Sequence, residues 1–232
     1  MGLDRAGNGQ VTIGKIPTRR ARIGAVLVVG VLAAGLAWQM AAQPSPLVFP
    51  ASAATVPQAI ATSIGSDPGA PVTGNPSGSV TVSEFFDYRC PYCRMMQPTL
   101  AALLAKDARV RLVAKEWPIF GGPSVAAARI ALAARWQGKY AAVHDALFRL
   151  PRTMDEESIR AAAASAGADM VRLDRDLANR GKEIDAELAA VDREARAVGF
   201  QGTPGFIVGT LIAPGAIPAA GLDDLVNRAA RN

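Results

Sequence analysis

Residues 80–93, VTVSEFFDYRCPYC, join a run rich in β-forming residues to the only two cysteines of the 232-residue chain. The run begins at Val80 and is typical of a buried strand. Pro91 suits the first position of a helix, and apolar residues at helical spacing extend this helix to about Lys106. A second β-rich run follows at 110–115. The order strand, helix, strand predicts a parallel pair of strands joined by a right-handed crossover.

The remainder of the chain adds a helical block, a hairpin and a last helix. An Ala-rich stretch from Ser124 to about Gly199 has amphipathic helical segments. Four residues are expected to interrupt it, namely Gly138, Pro151, Gly167 and Gly181. Residues 202–215, GTPGFIVGTLIAPG, give two short β segments with Gly209 between them, which predicts a hairpin. A final helix is predicted at 218–231.

The two cysteines, Cys90 and Cys93, can be half of a metal site, a structural staple or a reversible redox couple. Zinc sites usually need four Cys or His ligands, and the chain adds only His144. Copper would call for a cluster of His or Met ligands, which the sequence does not offer. A disulfide across two intervening residues closes too short a loop to add much stability. The sequence therefore favours a redox couple, with no metal and no cofactor.

The start of the helix assigns different tasks to the two sulfur atoms. If the helix begins at Pro91, Cys90 is its N-cap and faces free N–H groups and the positive end of the helix dipole. This environment stabilises the thiolate and favours nucleophilic attack by Cys90. Cys93 lies one turn further along and is shielded by the helix. We therefore expect Cys90 to form a mixed disulfide and Cys93 to resolve it.

The N-terminal part has the pattern of an export or membrane segment. Residues 23–42 form an uncharged apolar run, long enough as a helix to cross a bilayer. Residues 1–22 carry five basic residues and one acid, so the positive-inside rule predicts a cytoplasmic basic tail and export of the chain beyond residue 42. A signal segment cleaved near 51–53, which would leave a soluble periplasmic protein, is the alternative. Either arrangement places the cysteines where disulfides persist.

The charge distribution excludes a nucleic-acid partner. Of the net charge of +5, residues 1–42 contribute +4, so the rest of the chain lacks the basic surface that phosphate binding requires. Residues 43–79 contain seven prolines among Ala, Ser, Thr and Gly, and they are expected to form a linker with a short helix near 56–64.

VTVSEFFDYRCPYC together with GTPGFIVG resembles the DsbA family of thioredoxin-fold thiol-disulfide oxidoreductases, in particular membrane-anchored DsbA/Com1-like proteins. The resemblance covers about residues 67–231. It implies an α/β thioredoxin fold over residues 80–231 with an inserted α-helical domain at about 124–199, here preceded by an N-terminal transmembrane helix. It also implies a redox disulfide between the nucleophile Cys90 and the resolving thiol Cys93.

The resemblance implies four substrate-binding residues. Thr203 and Pro204 match the family's cis-proline motif, which would lie beside the disulfide and let Thr203 pair with an extended substrate strand. Pro91 and Tyr92 lie between the cysteines. The family's strong oxidants carry Pro-His there, so Tyr92 is a departure, and Thr203 is as similar to the isomerase and reductase branches as to the oxidase branch.

Two charged residues are further catalytic candidates by the same resemblance. Glu84 occupies the position of a buried acid beneath the disulfide, where a carboxyl group would exchange a proton with Cys93. Lys115, at the end of the second predicted strand, resembles the residue that pairs with this buried acid in the family. Glu116 is expected at the surface, and His144 is expected to pack or cap within the helical block. Tyr88, Tyr92, Trp117 and Phe120 are expected to line an apolar face around the cysteines, with core packing as an equal alternative for Trp117 and Phe120. Met95 and Met96 on the active-site helix are expected to contact apolar substrate segments, with core filling favoured for at least one of them.

These features predict a thiol-disulfide oxidoreductase of the bacterial inner membrane, with its C-terminal domain in the periplasm. It would introduce disulfides into reduced or misoxidised exported polypeptides, and a membrane redox partner, a DsbB-like quinone reductase, would reoxidise it. The enzymatic alternative is an envelope isomerase or reductase served by an electron donor. A non-catalytic envelope chaperone or binding protein is the alternative from another class.

Overall fold

One five-stranded mixed sheet organises the domain in the computed structural model, which describes residues 54–231. The strands are β1 (Val72–Gly74), β2 (Val80–Phe86), β3 (Val110–Glu116), β4 (Gly205–Val208) and β5 (Leu211–Pro214). Their order across the sheet is β1-β3-β2-β4-β5. β2 and β3 are parallel, as the sequence predicts, and the other neighbouring pairs are antiparallel.

Helices cover both faces of this sheet. They are α1 (Gln58–Gly65), α2 (Pro91–Lys106), α3 (Pro123–Ala134), α4 (Tyr140–Arg149), α5 (Glu156–Ser165), α6 (Met170–Ala197) and α7 (Ala219–Ala229). α2 begins at Pro91, as predicted. Helices α3 to α6 form the predicted helical insertion between β3 and β4. The element order is that expected for a thioredoxin fold carrying such an insertion.

Alternate residues of β2 direct their side chains to opposite faces of the sheet. Val82 packs with α2 and α7, and Phe86 packs with Cys93 and the insertion. Phe85 points the other way, towards α1 and the C-terminal part of α6. Because both faces are buried, every residue of β2 that follows Thr81 is buried.

Residues 55–79 differ from the expected linker. The short helix near 56–64 is present as α1, and β1 pairs with the free edge of β3. The apolar side chains of Val56 and Ile64 are buried against the sheet, which explains why a proline-rich segment is held there. The domain therefore begins well before Val80.

The predicted break at Gly181 is wrong, because α6 continues through it. A Cβ atom at Gly181 would lie 2.8 Å from the guanidinium of Arg129, so the glycine leaves room for this side chain of α3. The breaks at Gly138, Pro151 and Gly167 are confirmed.

The predicted basic tail, the predicted membrane span and residues 43–53 of the predicted linker lie outside the described residues. Between residues 54 and 231, no helix is both long and apolar enough to cross a membrane.

Candidate active site

Cys90 is the N-cap of α2, at the end of β2 where the sheet meets the helical insertion. Its thiol has a pKa lowered to about 6, chiefly by a hydrogen bond from the Cys93 thiol and further by the polar side chain of Thr203 and the N–H groups of Cys93 and Tyr92. These donors outweigh burial, which acts in the opposite direction. Cys90 is therefore mainly a thiolate at neutral pH.

Cys93 has the opposite environment. Its side chain has no exposed surface, and it packs against Phe86 and Ala114. Burial, the hydrogen bond to Cys90 and the charge of Glu84 raise the pKa of Cys93 well above its ordinary value. Both cysteines are free thiols in this structure. The pair thus combines an ionised sulfur with one that retains its proton.

The loop before β4 brings Thr203 and Pro204 to Cys90. The Thr203–Pro204 bond is cis, and the Cys90 thiol lies 3.2 Å from the carbonyl oxygen of Thr203. The Pro204 carbonyl accepts a hydrogen bond of 2.8 Å from the N–H of Gly215, which fixes the loop to the end of β5. The predicted proximity of this dipeptide to the cysteines is therefore present.

Glu84 lies on the face of the sheet that carries the cysteines, and only 2% of its surface is exposed. Burial, and then the charge of Cys90, raise its pKa to about 8. Its Oε1 atom is buried and has no hydrogen-bond partner among residues 54–231. Glu84 therefore holds a proton at neutral pH, close enough to Cys93 to raise the pKa of that thiol.

Lys115 is not the partner of Glu84, which corrects the prediction. In the β2–β3 register Glu84 lies opposite Ala114, and Lys115 lies opposite Phe85, so the two charged side chains are on different faces of the sheet. The Lys115 Nζ atom instead lies 2.6 Å from Asp67 and 2.8 Å from Glu194. Lys115 is fully buried and ties α6 to the sheet.

Glu116 is buried and not at the surface, which is a second correction. Its Oε1 atom accepts hydrogen bonds from the hydroxyl groups of Tyr88, at 2.7 Å, and Tyr140, at 2.9 Å. Nδ1 of His144 lies 3.0 Å from the Tyr88 hydroxyl. Burial raises the pKa of Glu116 well above its usual range and lowers that of His144 to about 3, so His144 is neutral near pH 7.

The sequence offers one indication of this network, since Glu116 is two residues from Ala114 and so faces the cysteine side of β3. Tyr140 and His144 come from α4, and their contact with Glu116 depends on how the insertion packs. His144 also packs its ring against Phe86 and Phe148, as expected of a packing residue.

An exposed apolar rim surrounds the cysteine pair. Tyr92 is 57% exposed and Met95 is 62% exposed on α2, and Ile119 and Phe120 follow β3 with 40% and 48% exposed. Tyr88 is buried in the same cluster as the two cysteines. Met96 and Trp117 take the core positions that were the alternatives for them. Trp117 packs on the opposite face of the sheet, where its indole N–H donates to Asp192.

Asp87 is a structural part of the site that the sequence did not reveal. Its buried carboxylate accepts hydrogen bonds from the N–H of Arg89, the N–H of Phe120 and the hydroxyl of Ser124. It therefore joins the loop before Cys90 to the start of the insertion.

Comparisons with known proteins agree with this geometry. The model of a family described as the DSBA-like thioredoxin domain matches residues 81–227. A thioredoxin-like oxidoreductase from Silicibacter pomeroyi is 44% identical, with a TM-score of 0.70, and the match covers 74% of this chain and 98% of that one. A periplasmic thioredoxin-like protein from Salmonella enterica serovar Typhimurium is 31% identical, with a TM-score of 0.68, over 77% of this chain and 100% of the other.

A curated relative is much longer. The Na(+)/H(+) antiporter NhaA 3 of Salinispora tropica is 30% identical over 141 residues, which are 59% of this chain and 21% of the antiporter. The match to this chain thus spans about a fifth of the length of the curated relatives.

Proposed function

The chain belongs to the DSBA-like thioredoxin family, with residues 81–227 as its thiol-disulfide oxidoreductase domain, and from this premise we propose that it donates its Cys90–Cys93 disulfide to exported polypeptides. The observation that carries the proposal is the difference between the two sulfur atoms. Cys90 has a pKa of about 6, whereas the pKa of Cys93 is raised above its ordinary value.

The exchange has two displacements. A substrate thiolate attacks the Cys90 sulfur of the disulfide, the S–S bond breaks, and Cys93 leaves as a thiolate. A second substrate thiolate then attacks the substrate sulfur of the mixed disulfide and releases the Cys90 thiolate. The substrate loses two electrons and forms a disulfide, and the protein gains the two electrons as a dithiol.

Glu84 supplies the proton that this reaction needs on the protein side. The buried Cys93 thiolate is a strong base when it leaves, and a neutral carboxyl group with a pKa of about 8 can protonate it. Glu84 returns to its neutral form by taking a proton from solvent. The Cys90 thiolate needs no proton at neutral pH because its pKa is about 6.

Substrate docking is assigned to the loop at Thr203 and to the apolar rim. The cis bond before Pro204 leaves the main chain of Thr203 beside Cys90, where an extended polypeptide can pair with it. Pro91 and Tyr92 cover the other side of the sulfur. The rim side chains Tyr92, Met95 and Phe120 suit unfolded segments, which expose apolar residues.

We place the domain in the periplasm, anchored through residues 23–42 and reoxidised by a membrane redox partner. Support comes from the apolar run, from the basic residues that precede it and from the periplasmic description of the Salmonella neighbour. An isomerase or reductase role is the second candidate, because the threonine before the cis-proline also resembles the isomerase and reductase branches of the family.

Two experiments test the proposal. In the first, full-length protein, oxidised and in detergent, is mixed with a reduced unfolded substrate, and disulfide formation is followed. The wild type is expected to oxidise the substrate, and Cys90→Ser and Cys93→Ser are both expected to be inactive, because neither variant can form the disulfide that is transferred. Equal activity of Cys90→Ser and wild type would favour a non-catalytic binding protein.

The second experiment reads the direction of electron flow by thiol trapping in intact cells. A pair that is mostly disulfide supports the donor role, and a pair that is mostly dithiol supports the isomerase or reductase. Carbonate extraction of membranes tests the anchor. Release of the protein into the soluble fraction would favour the cleaved form.

A further inference from the structure

Arg94 occupies an unusual position next to the cysteine pair. It follows Cys93 directly and lies four residues after the N-cap Cys90, so it shares a helix face with Cys90. Its main-chain N–H donates to the Cys90 carbonyl oxygen at 3.2 Å. Its side chain leaves α2 and reaches the helical insertion.

The insertion holds the Arg94 guanidinium through main-chain oxygen atoms. Nη1 donates to the Phe148 carbonyl at 2.7 Å and also to the Leu150 carbonyl, both at the C-terminal end of α4. The negative end of a helix dipole favours a cation at this place. The guanidinium therefore has one fixed orientation relative to α2.

This charge is not neutralised by an ion pair. Within residues 54–231 no carboxylate makes a salt bridge with Arg94, and its Nε and Nη2 atoms are buried without a hydrogen-bond partner. An arginine keeps its charge in a protein. Arg94 thus carries a partly buried cation with a fixed orientation, and its place on α2 is within one helical turn of both cysteines.

We infer that Arg94 tunes the redox couple: its guanidinium, held by two carbonyl groups of the helical insertion, stabilises the Cys90 thiolate and makes the insertion a determinant of oxidising strength. This inference rests on the proposed function and deepens it. Burial and the charge of Arg152 lower the pKa of Arg94, and the charges of Asp87 and the Cys90 thiolate oppose this shift, which shows that Arg94 and Cys90 attract each other.

Asp87 limits the size of the effect, because its carboxylate lies near the same groups. The largest influences on the Cys90 pKa are also the hydrogen bonds to its sulfur. We therefore expect that removal of the Arg94 charge lowers the acid ionisation constant of Cys90 by about threefold. Since a less stable thiolate disfavours the dithiol form, the protein becomes a weaker oxidant by about threefold, or about 14 mV.

The test uses the full-length chain with Arg94→Gln, Arg94→Met and Arg94→Lys. Ionisation of Cys90 is followed by thiolate absorbance against pH, and the redox equilibrium is measured against glutathione. The two neutral variants are expected to shift both quantities by about threefold, and Arg94→Lys is expected to remain close to wild type. Arg149→Gln, which removes a charge from the end of α4, is the matched control and should shift neither.

The outcomes separate tuning from a mechanical role. If all three variants unfold more easily while the ionisation and the redox equilibrium stay unchanged, Arg94 is a clamp and the inference is wrong. Two neutral variants are used because Arg94→Met removes both the charge and the polar group, whereas Arg94→Gln removes the charge and keeps a polar group. If the wild-type Cys90 ionises near pH 6 but the protein does not oxidise substrates, the proposed function fails while the inference stands.

Discussion

Cys90 carries the reactivity of the site, and its thiolate depends on a few identifiable donors. Thr203 is the one that a side-chain substitution can remove cleanly. We predict that Thr203→Val, which replaces the hydroxyl by a methyl group, raises the Cys90 pKa and slows alkylation at pH 6 by about threefold, because the polar side chain that helps to lower this pKa becomes apolar. Iodoacetamide kinetics between about pH 4.5 and 8 measure this, with half-maximal rate in the wild type near pH 6.

The matched control is Thr203→Ser, which keeps the hydroxyl and should retain the wild-type profile. Identical profiles for Val and Ser would show that the Thr203 hydroxyl does not lower the Cys90 pKa, which would leave the Cys93 thiol and the N–H groups of Cys93 and Tyr92 as its donors.

Glu84 makes the stability of the reduced protein depend on pH. Its pKa is raised from the ordinary 4.5 to about 8, so the unfolded chain releases this proton more easily than the folded one. Stability is therefore greatest below pH 4.5 and is lost as the pH rises towards 8. We predict a loss on the order of 3 kcal/mol between about pH 5 and 8 that Glu84→Gln abolishes. Urea unfolding of the reduced wild type and of reduced Glu84→Gln gives the two free energies of unfolding. If these free energies change with pH in the same way, the prediction is wrong.

Among the elements, β3 connects to α6 through one buried lysine. Burial alone would raise the pKa of Asp67, but Lys115 lowers it below its ordinary value, so the pairing favours the Asp67 carboxylate. We predict that Lys115→Met destabilises the protein by about 2–4 kcal/mol, since Asp67 and Glu194 lose their shared cation. The Cys90 alkylation profile should stay unchanged, because Lys115 lies on the other face of the sheet.

Lys106→Met is the control for this substitution. Lys106 pairs with Asp223 on the surface, where its side chain is 52% exposed, and its loss should change stability by less than about 1 kcal/mol. If Lys115→Met shifts the pH profile of Cys90 alkylation and Lys106→Met does not, Lys115 is a catalytic residue as first predicted.

The positions of Lys115 and Glu116 also show why part of the site escapes prediction. The strand, the turn and the helix start around Cys90 have strong local patterns, so the β2–α2 unit and the tasks of the two sulfurs can be read from the sequence. β2 and β3 are buried on both faces, and such strands lose the alternation that tells which residue faces which side. A shift of one residue exchanges the roles of Lys115 and Glu116.

Contacts distant in sequence account for the other differences. The Glu116 network needs Tyr140 from the insertion, and the Arg94 contacts need the last turn of α4. β1 has only three residues, too few to give a strand pattern in a proline-rich segment. Each of these depends on packing between elements, which local propensity does not determine.

At the scale of the whole molecule, the reactive sulfur lies where three parts of the chain meet. The sheet contributes Glu84, the loop before β4 contributes Thr203, and the insertion holds Arg94. Thr203 and, by our inference, Arg94 favour the Cys90 thiolate of the reduced form, and the charge of that thiolate helps to keep Glu84 protonated. The disulfide form has no such charge. Oxidising strength is therefore a property of the assembled domain.

The two redox forms are accordingly expected to differ in how their stability depends on pH. A Cys90 pKa lowered from 9.0 to about 6 stabilises the folded dithiol fully above pH 9, and this contribution is lost as the pH falls through 6. The disulfide form lacks it. The free energy of unfolding of the reduced form, relative to the disulfide form, should therefore increase by about 1 kcal/mol from about pH 6 to 8 after allowance for solvent screening.

Glu84→Gln is the suitable background for the measurement, since it removes the opposing titration of the buried carboxyl group and leaves Cys90 as the group that differs. Urea unfolding of the dithiol and disulfide forms at about pH 6, 7 and 8 gives the difference directly. A gap that is constant with pH would mean that the Cys90 thiolate is no more stable in the folded protein than in the unfolded chain. The donor role would then lose its thermodynamic basis, because the exchange would have no stabilised dithiol to drive it.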